Sequence, residues 1–399
     1  GKGTMDRQLR IWIVAASAII ALGPFSIDMY LPSFPALQAH FGATPAAVQA
    51  TLSTFFIGLA IGQLVYGPVA DRYGRRRPLI FGLALYTVAS FGCAFAPSIG
   101  GLAALRFLQA LGGSAGMVVI RAMVRDRFEP QQMAQILSAM MAVMGIAPII
   151  APTVGGQIFA LFGWQALFVA LGLFSSLCIV VAWRQLPETI AQRSPHGFVG
   201  FARAYLHMLR HRRFMGYALA GGTAQGAVFT YISVAAFVFI EAYQLTPTQF
   251  SLLFGLNAAG LIGASQLNTI ALRRMPAQRV LRRAIATSAA SSCVLLIDAL
   301  TGFGGLYGII VPLFFSVASL GFSFPNSTAA AMAPFGDRAG VASALLGTLQ
   351  FAIGACTGAI AGALHNGTPV PMAAVMASCG VLAVIFLFRL VPKPQAEAA

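Results

Sequence analysis

The sequence predicts an all-α integral membrane protein with twelve transmembrane helices, and three observations carry that prediction. Of 399 residues, 58% are hydrophobic and only 9% are charged, with a mean hydropathy of +0.81. A soluble domain carries about 25% charged residues, and no soluble core could bury this much apolar surface. The apolar residues fall into runs of the roughly 20 residues that a spanning helix needs, and the basic residues gather at alternate connections between those runs.

Taken in order, spans are expected over about 10–32, 46–69, 78–96, 99–124, 132–160, 165–185, 214–241, 247–272, 281–300, 304–332, 339–364 and 370–390. The first holds a charge-free run from Ile11 to Leu22. Gly1–Thr4, ahead of Met5, read as residues foreign to the natural chain, and no small-residue cleavage site follows the first run, so that run is expected to remain as a span. Connections such as Ala96-Pro97-Ser98 and Phe162-Gly163-Trp164 are very short. Short turns force antiparallel neighbours, which gives a serpentine bundle. The 42 glycines and 21 prolines are tolerated where neighbouring helices satisfy the freed backbone groups.

Orientation follows from charge. Lys2, Arg7 and Arg10 precede the first span, Arg72 and Arg75–Arg77 lie between the second and third, and Arg121, Arg125 and Arg127 follow the fourth. The same side receives six arginines around the sixth-to-seventh connection, five after the eighth span, Arg338, Arg389 and Lys393, making 24 of the 25 basic residues. That side is expected to be cytoplasmic, with both termini on it. The net charge of +15 is therefore topological, and nucleic-acid binding is not expected. The five cysteines are far apart within apolar stretches and read as small buried hydrophobes; the histidines are scattered, and no metal site is expected.

The longest connection, Pro187 to Arg213, separates six spans from six. Its spacing of Phe198, Phe201, Tyr205, Met208 and Leu209 predicts a short amphipathic helix on the cytoplasmic membrane face. The expected organisation is a six-helix bundle over 1–190, a cytoplasmic linker over 191–213 and a second six-helix bundle over 214–399. A shift of 202 residues brings Thr44-Pro45 onto Thr246-Pro247, Gly58-Leu59 onto Gly260-Leu261, Arg72 onto Arg274 and Arg77 onto Arg279. The identities are sparse, but they coincide with the two halves.

Three motifs carry chemistry. Between the second and third spans stands "GPVADRYGRRRPL", Gly67 to Leu79. Gly67 would allow close helix approach, Asp71 can pair with basic residues or face a helix N-terminus, and the arginines meet the anionic leaflet. In the fourth span, "LRFLQALGGSAG" places Arg106 inside the membrane, where it needs a partner or a wet cavity, or must snorkel to the outer end. In the fifth, "GIAPIIAPTVGG" combines Gly145, Pro148, Pro152, Gly155 and Gly156. The prolines remove helical hydrogen bonds and the small residues permit tight packing, either as an ordinary kink or as a functional element.

The loop motif resembles the signature cytoplasmic loop of the major facilitator superfamily, whose two pseudo-symmetric six-helix bundles enclose a midplane site and rock about it. The arginine motif is similar to that family's Arg-x-x-Gln-Gly, with Ala110 in place of the last Gly, and the fifth-span motif to its antiporter motif, with Ala151 in place of a Gly. With "SIDMYLPSFP" and "RAMVRDRF", the chain resembles the Bcr/CflA group of drug/proton antiporters over its whole length, most specifically in the first half. The resemblance implies a conformational latch in Gly67, Asp71, Arg72, Gly74 and Arg75 that favours the outward-facing state. It also implies proton-coupled export from the bacterial inner membrane.

Asp28 is an acid in a span with no basic residue beside it in sequence. It lies about six residues past the centre of the first span, ~9 Å along the axis, and Arg106 about five residues from the centre of the fourth, ~7–8 Å, on the same outer half. A transient ion pair between them is expected, with Asp28 and Arg106 as the proton-coupling pair; the alternative is an interfacial Asp at a helix end. Glu241 and Asp298 lie at helix ends, Glu241 as a possible second acid and Asp298 as an interfacial residue. Candidate substrate contacts are Tyr30, Gln109, Met140, Met141, Met144, Phe229, Tyr231, Phe237, Asn257, Asn326 and Gln350. Methionines offer soft, adaptable surface; for each aromatic the leading single alternative is ordinary packing or a lipid-facing position, and for Asn257, Asn326 and Gln350 the rival is interhelical hydrogen bonding.

The expected function is proton-coupled export of small hydrophobic or amphipathic drugs, amphenicol- or bicyclomycin-like, with no cofactor beyond the proton gradient and a monomeric chain in the lipid bilayer. The alternatives are an exporter of a native metabolite such as an amino acid or short peptide, and an uncoupled facilitator. No nucleophile–base pair, phosphate loop or metal set points to an enzyme.

Overall fold

The computed structural model describes residues 2–127, 146–147, 149–190, 197–332, 334 and 339–392. Among them all regular structure is helical: α1 (Lys2–Asp28), a 3-10 turn (Leu31–Ser33), α2 (Phe34–Phe41), α3 (Pro45–Tyr73), α4 (Arg76–Ala94), α5 (Ile99–Arg127), α6 (Ile149–Phe162) and α7 (Gln165–Gln185). They continue with α8 (Phe198–Leu209), α9 (Arg212–Ala236), a π-helical turn (Phe237–Ala242), α10 (Pro247–Ala271), α11 (Ala277–Thr301), α12 (Gly305–Met332), α13 (Ala339–Leu364) and α14 (Val370–Leu390). Among the described residues eleven spans are long and apolar enough to cross a membrane. They correspond to the expected segments other than the fifth, of which α6 lies within the described residues. α8 forms where the amphipathic spacing predicts a helix and packs on α9 and α13.

Two spans depart from the single helices expected. The first runs from Arg7 to Phe41 but breaks after Asp28. Pro32 has no N–H to give the Asp28 carbonyl. Instead both the backbone N–H and the hydroxyl of Ser33 donate to the Tyr30 carbonyl, at 2.9 and 2.5 Å, and close a 3-10 turn. α2 then ends at Gly42, whose φ of 59° is left-handed. The seventh expected span ends in the π-helical turn, closed by Leu245 N–H donating to the Phe239 carbonyl at 2.9 Å.

The chain forms two compact units, Gly1–Gly197 with Phe239–Leu256, and Phe198–Val238 with Asn257–Ala399. The core of the first includes Trp12, Ile19, Leu79, Tyr86, Val119 and Leu186, drawn from α1, α4, α5 and the end of α7. Gly58 brings α3 against α5: a Cβ there would lie 2.6 Å from the Phe107 carbonyl and 2.7 Å from Ala110 Cβ. α3 thus supplies the room that Ala110 takes in place of glycine. In the second unit the shift-related Gly260 brings α10 against α12, where a Cβ would lie 2.4 Å from the Phe314 ring. The repeat read from sparse identities therefore marks the same helix pairing in each half.

Candidate functional site

Asp28 is the last residue of α1 and is only 4% exposed. Among the described residues it joins no ion pair; the pairs found link Arg75 to Asp71 and to Asp126. One residue on, the Met29 carbonyl faces α6, where a Cβ on Gly155 would stand 2.1 Å from its oxygen. Only glycine permits that approach. The break after Asp28 is therefore seated directly on the fifth-span motif.

Arg106 is fully buried, which rules out snorkelling. Its Nη2 donates to the Ser26 carbonyl at 2.9 Å and its Nη1 to Gln109 Oε1 at 2.7 Å. The guanidinium lies 4.2 Å from the ring centres of both Tyr30 and Phe55, with Phe168 at 5.8 Å, a desolvated cation–π setting. The expected ion pair with Asp28 is not made. Depth was read correctly, since Arg106 reaches α1 two residues from Asp28. Its partner there is the Ser26 main-chain carbonyl, and no ion pair links the guanidinium to the Asp28 carboxyl among the described residues.

Gln109, expected among substrate contacts, is committed at both ends: its Oε1 accepts from Arg106 and its Nε2 donates to Ser90 Oγ at 2.7 Å. Ser90 Oγ in turn donates to the Tyr86 carbonyl at 2.7 Å, and the Tyr86 hydroxyl pairs with Ser26 Oγ. Tyr30, also an expected contact, is fully buried, with its hydroxyl 3.1 Å from Thr51 Oγ1. A closed polar chain thus links α1, α4 and α5 around one cation.

The loop motif is organised around Arg75. Its Nη1 donates to Asp71 at 2.6 Å, and its Nε and Nη2 form a fork on Asp126 at 2.8 and 3.2 Å. Glu188, just past α7, accepts the backbone N–H groups of Arg75 (2.9 and 3.1 Å) and Arg76 (3.1 Å) at the N-terminus of α4. Gly74 has a φ of +95°, and a Cβ there would meet Glu188 Oε2 at 2.7 Å. Thr189 Oγ1 donates to Asp126 at 2.8 Å. Partial burial works against ionisation of Glu188, but the N–H groups of Arg75, Arg76, Ile190 and Thr189 outweigh it and hold the carboxyl below its ordinary value. Burial likewise opposes the Arg75 charge, and Asp126 and Asp71 outweigh it, raising the guanidinium above its ordinary value. Arg72 lies over the Tyr73 ring at 5.7 Å. Gly67 does not serve the close approach expected of it, because a Cβ there would meet nothing within 4 Å. Sequence reasoning passed over Asp126 and Glu188; the available signal was two acids standing on the strongly basic side of the chain.

In α6, Pro152, Gly155 and Gly156 are buried, and a Cβ on Gly156 would come 2.9 Å from Ser251 Oγ. Gly145, Pro148, Met140, Met141 and Met144 lie outside the described residues. In the second unit Phe229 stacks on Phe351 at 5.6 Å, and Phe237 tilts on His365 at 5.5 Å. Asn257 Nδ2 donates to the Tyr231 hydroxyl at 3.0 Å, while its buried Oδ1 has no partner among the described residues. Asn326 is spent on joining helices, donating to Asn268 Oδ1 at 2.8 Å and to the Phe322 carbonyl at 2.9 Å. Gln350 is 9% exposed. Glu241 is exposed on the π-helical turn and Asp298 is half-buried near the end of α11.

A buried acid at a broken helix, an arginine nest and a loop charge cluster are set on apolar helices long enough to span a membrane, and the relatives of the chain are multi-pass membrane transporters rather than enzymes. The chain belongs to the Major Facilitator Superfamily, whose family model matches residues 16–359. It is 35% identical over 373 residues to an uncharacterised MFS-type transporter, YdgK, of Bacillus subtilis, covering 92% of each chain. It is 30% identical over 385 residues to a bicyclomycin resistance protein homolog of Haemophilus influenzae, covering 96% of each. Such relatives fit the Bcr/CflA group within the family. The fold is that of the crystal structure of a D-xylose–proton symporter, with a TM-score of 0.76 at 15% identity over 98% of this chain and 100% of that one.

Proposed function

We propose that this chain exports small hydrophobic or amphipathic compounds, amphenicol- or bicyclomycin-like, in exchange for protons. It works as a monomer in the bacterial inner membrane, with both termini in the cytoplasm. The halves 1–190 and 214–399, joined through 191–213, alternate access to a midplane site. The single observation that carries proton exchange is Asp28. A net charge on a buried group in apolar surroundings is costly, and this carboxyl has no basic partner among the described residues to offset it. An acid so placed, at a helix break, is suited to trade its proton for an incoming drug. Arg106 holds α1 and α5 in register beside it. The unpartnered Asn257 Oδ1 supports a substrate that offers a hydroxyl or amide N–H. The Arg75 cluster is the latch, and Gly155 with Gly156 the antiporter element.

The test is uphill transport in proteoliposomes. With a pH gradient imposed and no other energy source, accumulation of chloramphenicol or bicyclomycin should appear and should collapse when a protonophore is added. Equal drug flux with and without the gradient would establish the uncoupled facilitator instead, and transport of neither drug alongside active amino-acid export would establish the metabolite exporter.

A further inference from the structure

In the second unit a groove of about 610 Å3 runs between α11 and α12, within the ~300–1,000 Å3 range of ligand clefts. Its walls are largely apolar, with Val294, Val311 and Phe315 along it and Phe303 and Tyr307 at one end. These side chains are strongly exposed, Tyr307 by 75% and Phe303 by 74%. On a helix pair that spans a bilayer, such a face meets lipid. The one charged lining residue is Asp298. It joins no ion pair among the described residues, and Arg283, on the same helix, lies ~22 Å away along the axis. Gly308 of α12 lies beside this carboxylate: an added Cβ there would stand 3.5 Å from Asp298 Oδ2 and only 1.9 Å from the Phe303 carbonyl oxygen.

We propose that this groove binds a single phospholipid carrying a primary ammonium headgroup, with the ammonium on Asp298 and one acyl chain along Val294, Val311 and Phe315. Length supports one lipid of one leaflet. From Thr287 to Asp298 on α11, and from Gly304 to Phe315 on α12, the walls run about 16 Å, half of the ~30 Å hydrocarbon core. Charge complementarity selects the headgroup. A carboxylate repels anionic phospholipids and attracts an ammonium, and a primary ammonium donates hydrogen bonds that a quaternary choline cannot. Mass action selects lipid over drug, because lipid is the solvent at this face and fills even a weak site. The site is independent of Asp28 and of any proton coupling.

The experiment reads lipid retained by purified protein. The full chain is reconstituted in nanodiscs of phosphatidylethanolamine, phosphatidylcholine and phosphatidylglycerol in equal parts, re-extracted in mild detergent, and analysed by native mass spectrometry. Wild type should retain one phosphatidylethanolamine at least fivefold over either competitor. Asp298→Asn should lose that preference, Asp298→Glu should keep it, and Val311→Trp, which fills the groove with Asp298 intact, should abolish retention. Wild type without a preference for phosphatidylethanolamine, or a preference that survives both Asp298→Asn and Val311→Trp, would overturn the proposal. If Asp298→Asn does not elute as a folded species, wild type and Val311→Trp decide the matter.

Discussion

Gly155 of α6 and Met29 of the first span meet backbone to backbone, with no room for a methyl group between them: a Cβ at 155 would lie 2.1 Å from the Met29 carbonyl oxygen and 2.8 Å from its carbon. The contact sits one residue from Asp28, on the segment that Pro32 frees from helical bonding. Any shift of α6 must therefore move the end of α1, because neither surface offers a flexible side chain to absorb it. The small residues of the fifth span and the acid of the first are thus parts of one mechanical unit.

Gly155→Ala should destabilise the protein by about 1–3 kcal/mol, the usual cost of overpacking, read as a lower Tm in detergent. Gly155→Leu should in addition abolish coupled exchange or let protons leak through reconstituted vesicles. A Gly155→Leu protein that stays tight and fully coupled would mean that α1 and α6 move independently.

The loop cluster makes a ranked prediction. Asp71 is the more exposed of the two partners of Arg75, at 41% against 17% for Asp126, and exposed ion pairs contribute only about 0–1 kcal/mol. Asp71→Asn should therefore leave stability and drug binding near wild type but slow the transport cycle by loosening the latch. Asp126→Asn breaks a two-point fork and the Thr189 bond together, and should lower both Tm and rate. Transport by Asp71→Asn at the wild-type rate in vesicles would remove the latch role from this loop.

Glu188 gives the cluster a pH dependence whose sign can be worked out. Its carboxyl is held below the ordinary value in the folded chain, so its contribution is complete above the unfolded pKa of about 4.3. That contribution is lost as pH falls through the lower folded value. Glu188→Gln should cost about 1 kcal/mol near neutrality, the size of a helix N-cap, and nothing extra in strong acid. Melting curves from pH 7 to pH 3 should thus converge for the two proteins. Parallel curves over that range would refute the assignment.

Hydropathy made the spans legible because each must present some twenty apolar residues to lipid, and the cost of burying charge made Asp28 and Arg106 stand out. Depth could be counted at 1.5 Å per residue, and it brought Arg106 to the right turn of α1. Azimuth could not be counted. A helix that is apolar on every side carries no amphipathic stripe to fix its rotation, so the face on which Arg106 meets Ser26 rather than Asp28 was not readable. The break after Asp28 was signalled by Pro32, yet a proline inside a membrane helix is often tolerated. Asp126 and Glu188 were hidden for a different reason: their partners are backbone N–H groups and an arginine more than 50 residues away, and no local spacing records such pairings.

Arg106→Lys tests the nest separately from the charge. Lysine keeps the cation but loses the planar fork that reaches Ser26 and Gln109 while stacking between Tyr30 and Phe55. The loss of stacking and of two charge-assisted bonds should destabilise the protein by about 2–4 kcal/mol. Gln109→Ala should cost less, about 1–3 kcal/mol, and the double variant should fall short of the sum because the residues share one network. Thermal unfolding of the four proteins reads this directly; strict additivity would show that Arg106 and Gln109 act apart.

Asp28→Asn separates binding from coupling. Asparagine has nearly the volume of aspartic acid, so the break at Met29–Ser33 and its seat on Gly155 should persist and the Tm should change little. A neutral drug should then bind within about tenfold of wild type, ~1.4 kcal/mol. What should vanish is the proton. Drug added to weakly buffered wild-type protein should release protons in proportion to sites filled, and the variant should release none and should fail to drive uphill export while still equilibrating drug down its gradient. Calorimetry in two buffers of different ionisation enthalpy measures binding and proton release in one titration. Proton release by Asp28→Asn at the wild-type level would move the coupling role to another acid, and Glu241→Gln would be the next variant to titrate.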